Sequence, residues 1–272
     1  MDKLSRIIKE SIKKVLDEGI DFDTKTMTVS YNPSHENNVD TSIENNPTND
    51  DSIIPGVDVW SIFKRKRGNR DDGNPLVFAL KGEGWTFRSE EDRLAIIRQF
   101  DAIATKFANM HPIGVTILVP STNSLNDYIA KVVMSKSENA ELIEGVIYKL
   151  TTEEIENMVQ RFDSKFRAVY RTDFDEQYKK LQTYLNVMDE EKDGEFARHL
   201  IRDPKMRNAI DFTLKYSKDR IAEYANKING QDVLLIDDNI SRGQTISEAV
   251  DILRTVYAPK SITVLTLLSK KV

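Results

Sequence analysis

The sequence predicts an α/β fold, a parallel sheet flanked by helices, preceded by an N-terminal helix and a flexible linker. Three stretches carry this expectation. Val233-Leu234-Leu235-Ile236 is a short apolar run followed by two acids and a small-polar turn, after which Ile246, Val250 and Leu253 recur at helical spacing. Gly114–Val119 is a second apolar run that also leads through a small-polar loop into a helix. Ser261–Leu268 is a third. Apolar runs without polar alternation suit strands buried on both faces of a parallel sheet. The unit 233–268 reads as strand, helix, strand, with the right-handed crossover usual for such units.

Composition narrows the class. The chain has 272 residues, 39% hydrophobic and 31% charged, enough for one large or two small globular domains. A net charge of −5 argues against a chain that binds nucleic acid over its whole surface. No cysteine is present, which excludes disulfides, zinc–thiolate sites and a thiol nucleophile. No apolar run is long enough to span a bilayer, and the basic N-terminus lacks the apolar core of a secretory signal. A cytoplasmic protein is expected.

In chain order, residues 1–20 form an amphipathic helix candidate. Leu4, Ile7, Ile8, Ile12, Val15 and Leu16 share one face between lysines and arginine over residues 3–18. Such a helix docks on a protein partner or a membrane surface, or else packs on its own domain or pairs in a homodimer. Residues 21–56 are rich in Asn, Ser, Thr and Asp and read as a flexible linker, with a short extended piece near Thr26–Tyr31. Residues 57–88 read as a hairpin, with strands Val59–Lys66 and Pro75–Lys81 about a Gly- and Asn-containing turn. The basic cluster Lys64, Arg65, Lys66, Arg67 and Arg70 has Asp71 and Asp72 beside it and no aromatic platform. That favours a solvated hairpin tip over a nucleic-acid surface.

Ser89 caps a helix with an acidic first turn that runs to about Met110. After the strand at 114–119, the loop Ser121-Thr122-Asn123-Ser124 leads to a helix through Met134. Residues 135–209 form a variable region: a strand at Leu142–Tyr148, a helix capped at Thr151, a helix over Tyr178–Met188, and a locally basic stretch with Arg198, Arg202 and Lys205. A helix is expected over Ile210–Asn226.

The loop after Ile236 has a chemistry of its own. Backbone N–H groups from Ser241 to Thr245 lead into a helix N-terminus, which favours an anion. Gly243 lets the backbone approach closely, and Ser241 and Thr245 add hydroxyls. Asp237 and Asp238 would repel a phosphate unless they face sugar hydroxyls or hydrated Mg²⁺. A phosphate with a diol describes a ribose 5-phosphate.

At these residues the chain resembles the type I phosphoribosyltransferases. Their signature is an apolar strand, two acids, a Ser/Thr-rich turn, Gly, and Ser/Thr one residue later. Asp237, Asp238, Ser241, Gly243 and Thr245 match, whereas Arg242 stands where the family usually has a small residue or Thr. The resemblance implies that residues 57–272 form a phosphoribosyltransferase-like domain. It implies that Asp237 and Asp238 hold the ribose hydroxyls of 5-phosphoribosyl 1-diphosphate (PRPP), and that Ser241, Arg242, Gly243, Gln244 and Thr245 hold its 5-phosphate. It also implies a diphosphate loop at Ser121, Thr122, Asn123 and Ser124, and a mobile loop carrying Arg198, Arg202 and Lys205. Mg²⁺ would bind indirectly, through PRPP. The purine-using members often carry Asp at the place of Ser241, so a 6-oxopurine acceptor is not favoured.

Two function classes follow. One is Mg²⁺-dependent transfer of ribose 5-phosphate from PRPP to a nitrogenous base or related small-molecule acceptor. The other is a non-catalytic module that binds PRPP or a nucleotide, or is recruited to a larger assembly through its N-terminal helix.

Overall fold

The structure is a computed structural model that describes residues 19–32, 39–65, 74–121, 124–137, 139–192, 194–240 and 243–269. The helix expected over 3–18 lies outside them. The fold is α/β, with a mostly parallel central sheet flanked by helices. Five strands are mutually parallel: β5 (Asp58–Arg65), β7 (Val115–Leu118), β8 (Glu141–Leu142), β11 (Asp232–Asn239) and β12 (Ser261–Leu268). Their spatial order is β5-β12-β11-β7-β8.

Helices cover both faces of this sheet. On one face lie α1 (Asn74–Lys81), α2 (Glu90–Met110) and α3 (Leu125–Met134), which pack Leu76, Phe100, Ile103 and Ile129 against Leu234, Ile236, Leu265 and Leu267. Helices also form within residues 135–228: α4 (Thr152–Gln160), α5 (Lys165–Val169), α6 (Phe174–Glu191), α7 (Pro204–Ala209) and α8 (Ile221–Ile228). The opposite face is covered by α8 and by α9 (Gln244–Val256), whose Ile228, Ala249, Val250 and Leu253 meet Val233, Leu235 and Val264. β11 therefore buries alternate residues on opposite faces, Val233 and Leu235 on one and Leu234 and Ile236 on the other, which is why its sequence is apolar without interruption. Helices α4–α7 close a third core of their own around Phe166, Leu181, Met188 and Ile201.

Several expected elements hold. Ser89 caps α2 by accepting the Asp92 N–H at 3.1 Å. Thr151 and Glu154 form a reciprocal capping box at α4. The strand–loop–helix units at 115–134 and 232–256 are present, and β12 closes the second of them.

Other expectations are corrected. Of the stretch expected as a linker, residues 21–32 and 39–56 are folded onto the sheet: β1 (Gly19–Asp23), β2 (Thr28–Asn32), β3 (Val39–Asp40) and β4 (Thr48–Asn49) extend it beyond β5. Ile20, Val29 and Val39 are fully buried there. Several polar residues of this stretch hydrogen-bond within it. Asp40 Oδ1 accepts the Ser42 N–H at 2.9 Å, and Asn46 Nδ2 donates to the carbonyls of Asp40 and Ser42. The region 57–88 is not a hairpin, because Pro75–Lys81 is helical; a proline in the first turn suits a helix start, and Leu76 and Val77 turn inward. β6 (Thr86–Phe87) follows it and pairs with β2. The strand expected at 142–148 is divided between β8 and β9 (Ile147–Lys149). The helix expected over 210–226 begins only at α8, since Leu214–Tyr216 is a strand, β10, paired with β9.

Candidate functional site

Chain direction through the sheet locates a crevice. From β7 the chain proceeds to β8 on one side, whereas from β11 it proceeds to β12 on the other. The order reverses between β7 and β11, and connections leaving their carboxyl ends diverge, which opens the crevice where open α/β sheets bind ligands. The end of β11 carries Asp237, Asp238 and Asn239 into it. The end of β7 leads into the loop at 119–124. There the Val119 N–H donates to the Ile236 carbonyl at 2.9 Å, which ties the two strand ends together. Buried Asn126, in the first turn of α3, donates from Nδ2 to the Val119 carbonyl at 2.9 Å and so fixes the return of this loop. Ser124 caps α3 without a side-chain hydrogen bond to it.

The two carboxylates have different surroundings. Burial, and then the negative charge of Asp238, push the Asp237 carboxyl up to about 7. The Asp238 N–H, donated to Asp237 Oδ1 at 2.9 Å, and the nearby Lys81 and Asn126 work against that rise. Asp238 continues the face of Leu234 and Ile236, where α1 lies, and pairs with the Lys81 ammonium. Beside it, the Arg65 guanidinium at the end of β5 donates to the side-chain carbonyls of Asn74 (3.2 Å) and Asn239. Asn239 donates in turn to Asn74 Oδ1 at 3.1 Å. Arg65 is therefore buried and committed inward, not part of a solvated tip. Lys66, Arg67 and Arg70 lie outside the described residues.

Gly243 caps α9 with φ 73°, in the left-handed region. A Cβ there would come within 2.8 Å of Ile53 Cγ2, so the position takes glycine for both conformation and space. Gln244 and Thr245 follow as the first helical residues, with no side-chain cap and no acid in the first turn. The N–H groups of that turn are thus suited to an anion. Ser241 and Arg242, like Thr122 and Asn123, lie outside the described residues.

No protein-family model matches this chain, and no curated protein matches it.

The structure brings Asp237, Asp238, Gly243–Thr245 and the loop ends Ser121 and Ser124 to the carboxyl ends of adjacent strands. It does not bring Arg198, Arg202 and Lys205 to them as a loose loop. Arg198 donates from Nη2 to Glu248 Oε1 of α9 at 3.2 Å and to the Ile210 carbonyl at 3.0 Å. Burial lowers its guanidinium pKa, and Glu248 opposes that shift. Lys205 lies over the Tyr170 ring, 4.5 Å from its centroid, and Arg202 is exposed. Sequence reasoning missed Lys81, Asn74 and Asn239 at the site. Asn239 directly follows the two acids and could have been included, whereas no local signal marks Lys81.

For a metal, the described residues hold no cluster of three or more His, Cys, Asp or Glu side chains. Two carboxylates with neighbouring amides fit Mg²⁺ carried largely by ligand phosphates and water, the usual mode for this ion, and not a closed protein cage. A separate polar cavity of about 370 Å³ in the helical region is lined by Glu153, Glu156, Asn186 and Asp189. Two of these acids are engaged locally: Glu156 accepts from Tyr178 and Gln182, and Asp189 from Thr152. No helix among the described residues is long and apolar enough to cross a membrane.

Proposed function

We propose that the protein binds PRPP with Mg²⁺ and transfers its ribose 5-phosphate to a nitrogenous base or related acceptor. The observation that carries this reading is a convergence at one crevice. An acid pair, a glycine-entered helix N-terminus and a second small-polar loop meet where the strand order reverses. The resemblance of residues 237–245 to the phosphoribosyltransferase signature gives the chemistry of that convergence.

In this reading the first-turn N–H groups of Gln244 and Thr245 hold the 5-phosphate, with Ser241 and Arg242 beside them. Asp237 and Asp238 accept hydrogen bonds from the ribose hydroxyls, and residues 121–124 hold the diphosphate. Mg²⁺, when bound, would offset the charge of the diphosphate as it leaves. The chain's own contribution is to fix both ends of the sugar, so that the acceptor nitrogen meets C1 as the bond to diphosphate breaks.

Calorimetric titration of Mg²⁺–PRPP tests the site, with the Asp237→Asn/Asp238→Asn double variant beside the wild type. Loss of charged hydrogen-bond acceptors should weaken binding at least about a hundredfold. Absence of binding to wild type would overturn the reading.

A non-catalytic binding module is the second reading. The Lys81–Asp238 ion pair favours it, because it engages one of the two acids in the free protein. Diphosphate release over a panel of bases separates the two: turnover supports transfer, and saturable binding without turnover supports the module.

A further inference from the structure

Lys81 closes α1, an element that precedes the whole 115–268 portion of the sheet in sequence, yet its ammonium reaches the acid pair on β11. The contact is sheltered, with the Lys81 and Asp238 side chains only 13% and 14% exposed. An ammonium group supplies one positive charge and three donors and accepts nothing. It therefore meets Asp238 with the same chemistry that a cation or a pair of sugar hydroxyls would bring. The neighbouring cation, Arg65, donates to Asn74 and Asn239, and among the described residues Lys81 is the cation paired with Asp238. A free divalent ion approaching this pair has to displace a sheltered ammonium, and Mg²⁺ gives up its own water reluctantly. A phosphate-bearing ligand brings its metal already neutralised and offers hydroxyls to the acids. It also gives the displaced ammonium new anionic partners at the mouth of the same crevice.

We propose that Lys81 is an internal counter-ion that keeps free divalent cations off the Asp237–Asp238 pair, so that metal enters only as the complex of a phosphate-bearing sugar ligand. This rests on the reading of the β11 end as a site for such a ligand.

The test uses Mn²⁺ alone as the probe, followed by the loss of its free electron paramagnetic resonance signal, on the full chain without phosphate. Lys81→Met and Lys81→Gln should each bind Mn²⁺ at least about tenfold more tightly than wild type, because a unit charge a few ångströms away is removed. Lys81→Arg should behave as wild type, and Asp238→Asn added to Lys81→Met should abolish the gain. Equal Mn²⁺ affinity in wild type and both truncations, or the same gain in Lys81→Arg, would overturn the proposal. A parallel Mg²⁺–PRPP titration separates the two readings. Wild type that binds Mg²⁺–PRPP while the truncations gain no Mn²⁺ removes the counter-ion alone. Wild type that ignores PRPP while the truncations gain Mn²⁺ supports the counter-ion and removes the ligand.

Discussion

Ile53 packs against Gly243 so closely that its Cγ2 would lie 2.8 Å from a Cβ built at the glycine. The segment before β5 thus forms one wall of the turn that opens α9. Gly243→Ala should destabilise the protein by about 2 kcal/mol or more, from the left-handed backbone and from overpacking together. Adding Ile53→Ala should return the steric part and leave the backbone part. Urea unfolding of the two single variants and the double variant measures this. A Gly243→Ala variant of wild-type stability would mean that the turn does not need its left-handed entry.

Asp237 makes stability depend on pH in the sense opposite to most carboxylates. Its folded pKa is raised from 3.8 to about 7, so between these values the unfolded chain is ionised while the folded chain retains the proton. The folded state binds more protons there, and stability falls as pH rises through this window, by at most about 1.4 kcal/mol per pH unit, then levels off above it. Asp237→Asn removes this dependence. The variant should gain stability relative to wild type as pH rises from about 4.5 to 7.5, while losing affinity for a sugar ligand. Urea midpoints at the two pH values measure the difference. A gap that stays constant with pH would show that Asp237 titrates normally.

Features set by neighbours in the chain were legible in the sequence, and those set by distant partners were not. β11 could be read because both its faces are buried and four successive apolar residues have no other use. Ser89 and Thr151 could be read because capping is local, with partners three residues away. The stretch 39–49 could not. Ser42 donates to the Asp40 carboxylate and Asn46 to two main-chain carbonyls, yet the composition of this stretch is that of a solvated linker. Pro75–Lys81 was ambiguous because a short apolar run has no decisive period. Of the candidate site, the acids and glycine turn were legible as a contiguous motif. Lys81 and Arg65 were not, since their positions depend on which strands become neighbours.

Asn46 provides a direct check that this polar stretch is built into the fold. It is fully buried, with Nδ2 donating to the carbonyls of Asp40 (3.1 Å) and Ser42 (2.8 Å), and its main-chain carbonyl accepts from Lys106 of α2 at 2.7 Å. Asn46→Ala leaves two carbonyls without this donor and should cost about 1–3 kcal/mol. Asn45→Ala, which loses one contact to Asp40 near the surface, should cost less. Thermal unfolding ranks the two. Equal, negligible losses would return residues 39–49 to the status of a linker.

Arg198 and Glu248 decide whether the basic stretch at 196–207 moves over the crevice or is part of its frame. Glu248, in the second turn of α9, accepts Arg198 through Oε1 and both the N–H and hydroxyl of Thr213 through Oε2, each of the latter at 2.8 Å. This cluster joins the α4–α7 region to the helix whose N-terminus forms the candidate phosphate site. Glu248 is 8% exposed, so truncating its cationic partner leaves a carboxylate sheltered from water. Arg198→Met should therefore cost about 3 kcal/mol, whereas Arg202→Ala at the surface should change stability by no more than about 0.5 kcal/mol. The Arg198→Met/Glu248→Gln double variant should lose less than the sum of the singles, because the second change removes the charge that the first left unpaired. A mobile arginine predicts the reverse: Arg198→Met would leave unfolding unchanged and lower ligand affinity alone. Denaturant midpoints and Mg²⁺–PRPP titration on the same three variants distinguish a fixed strut from a closing loop.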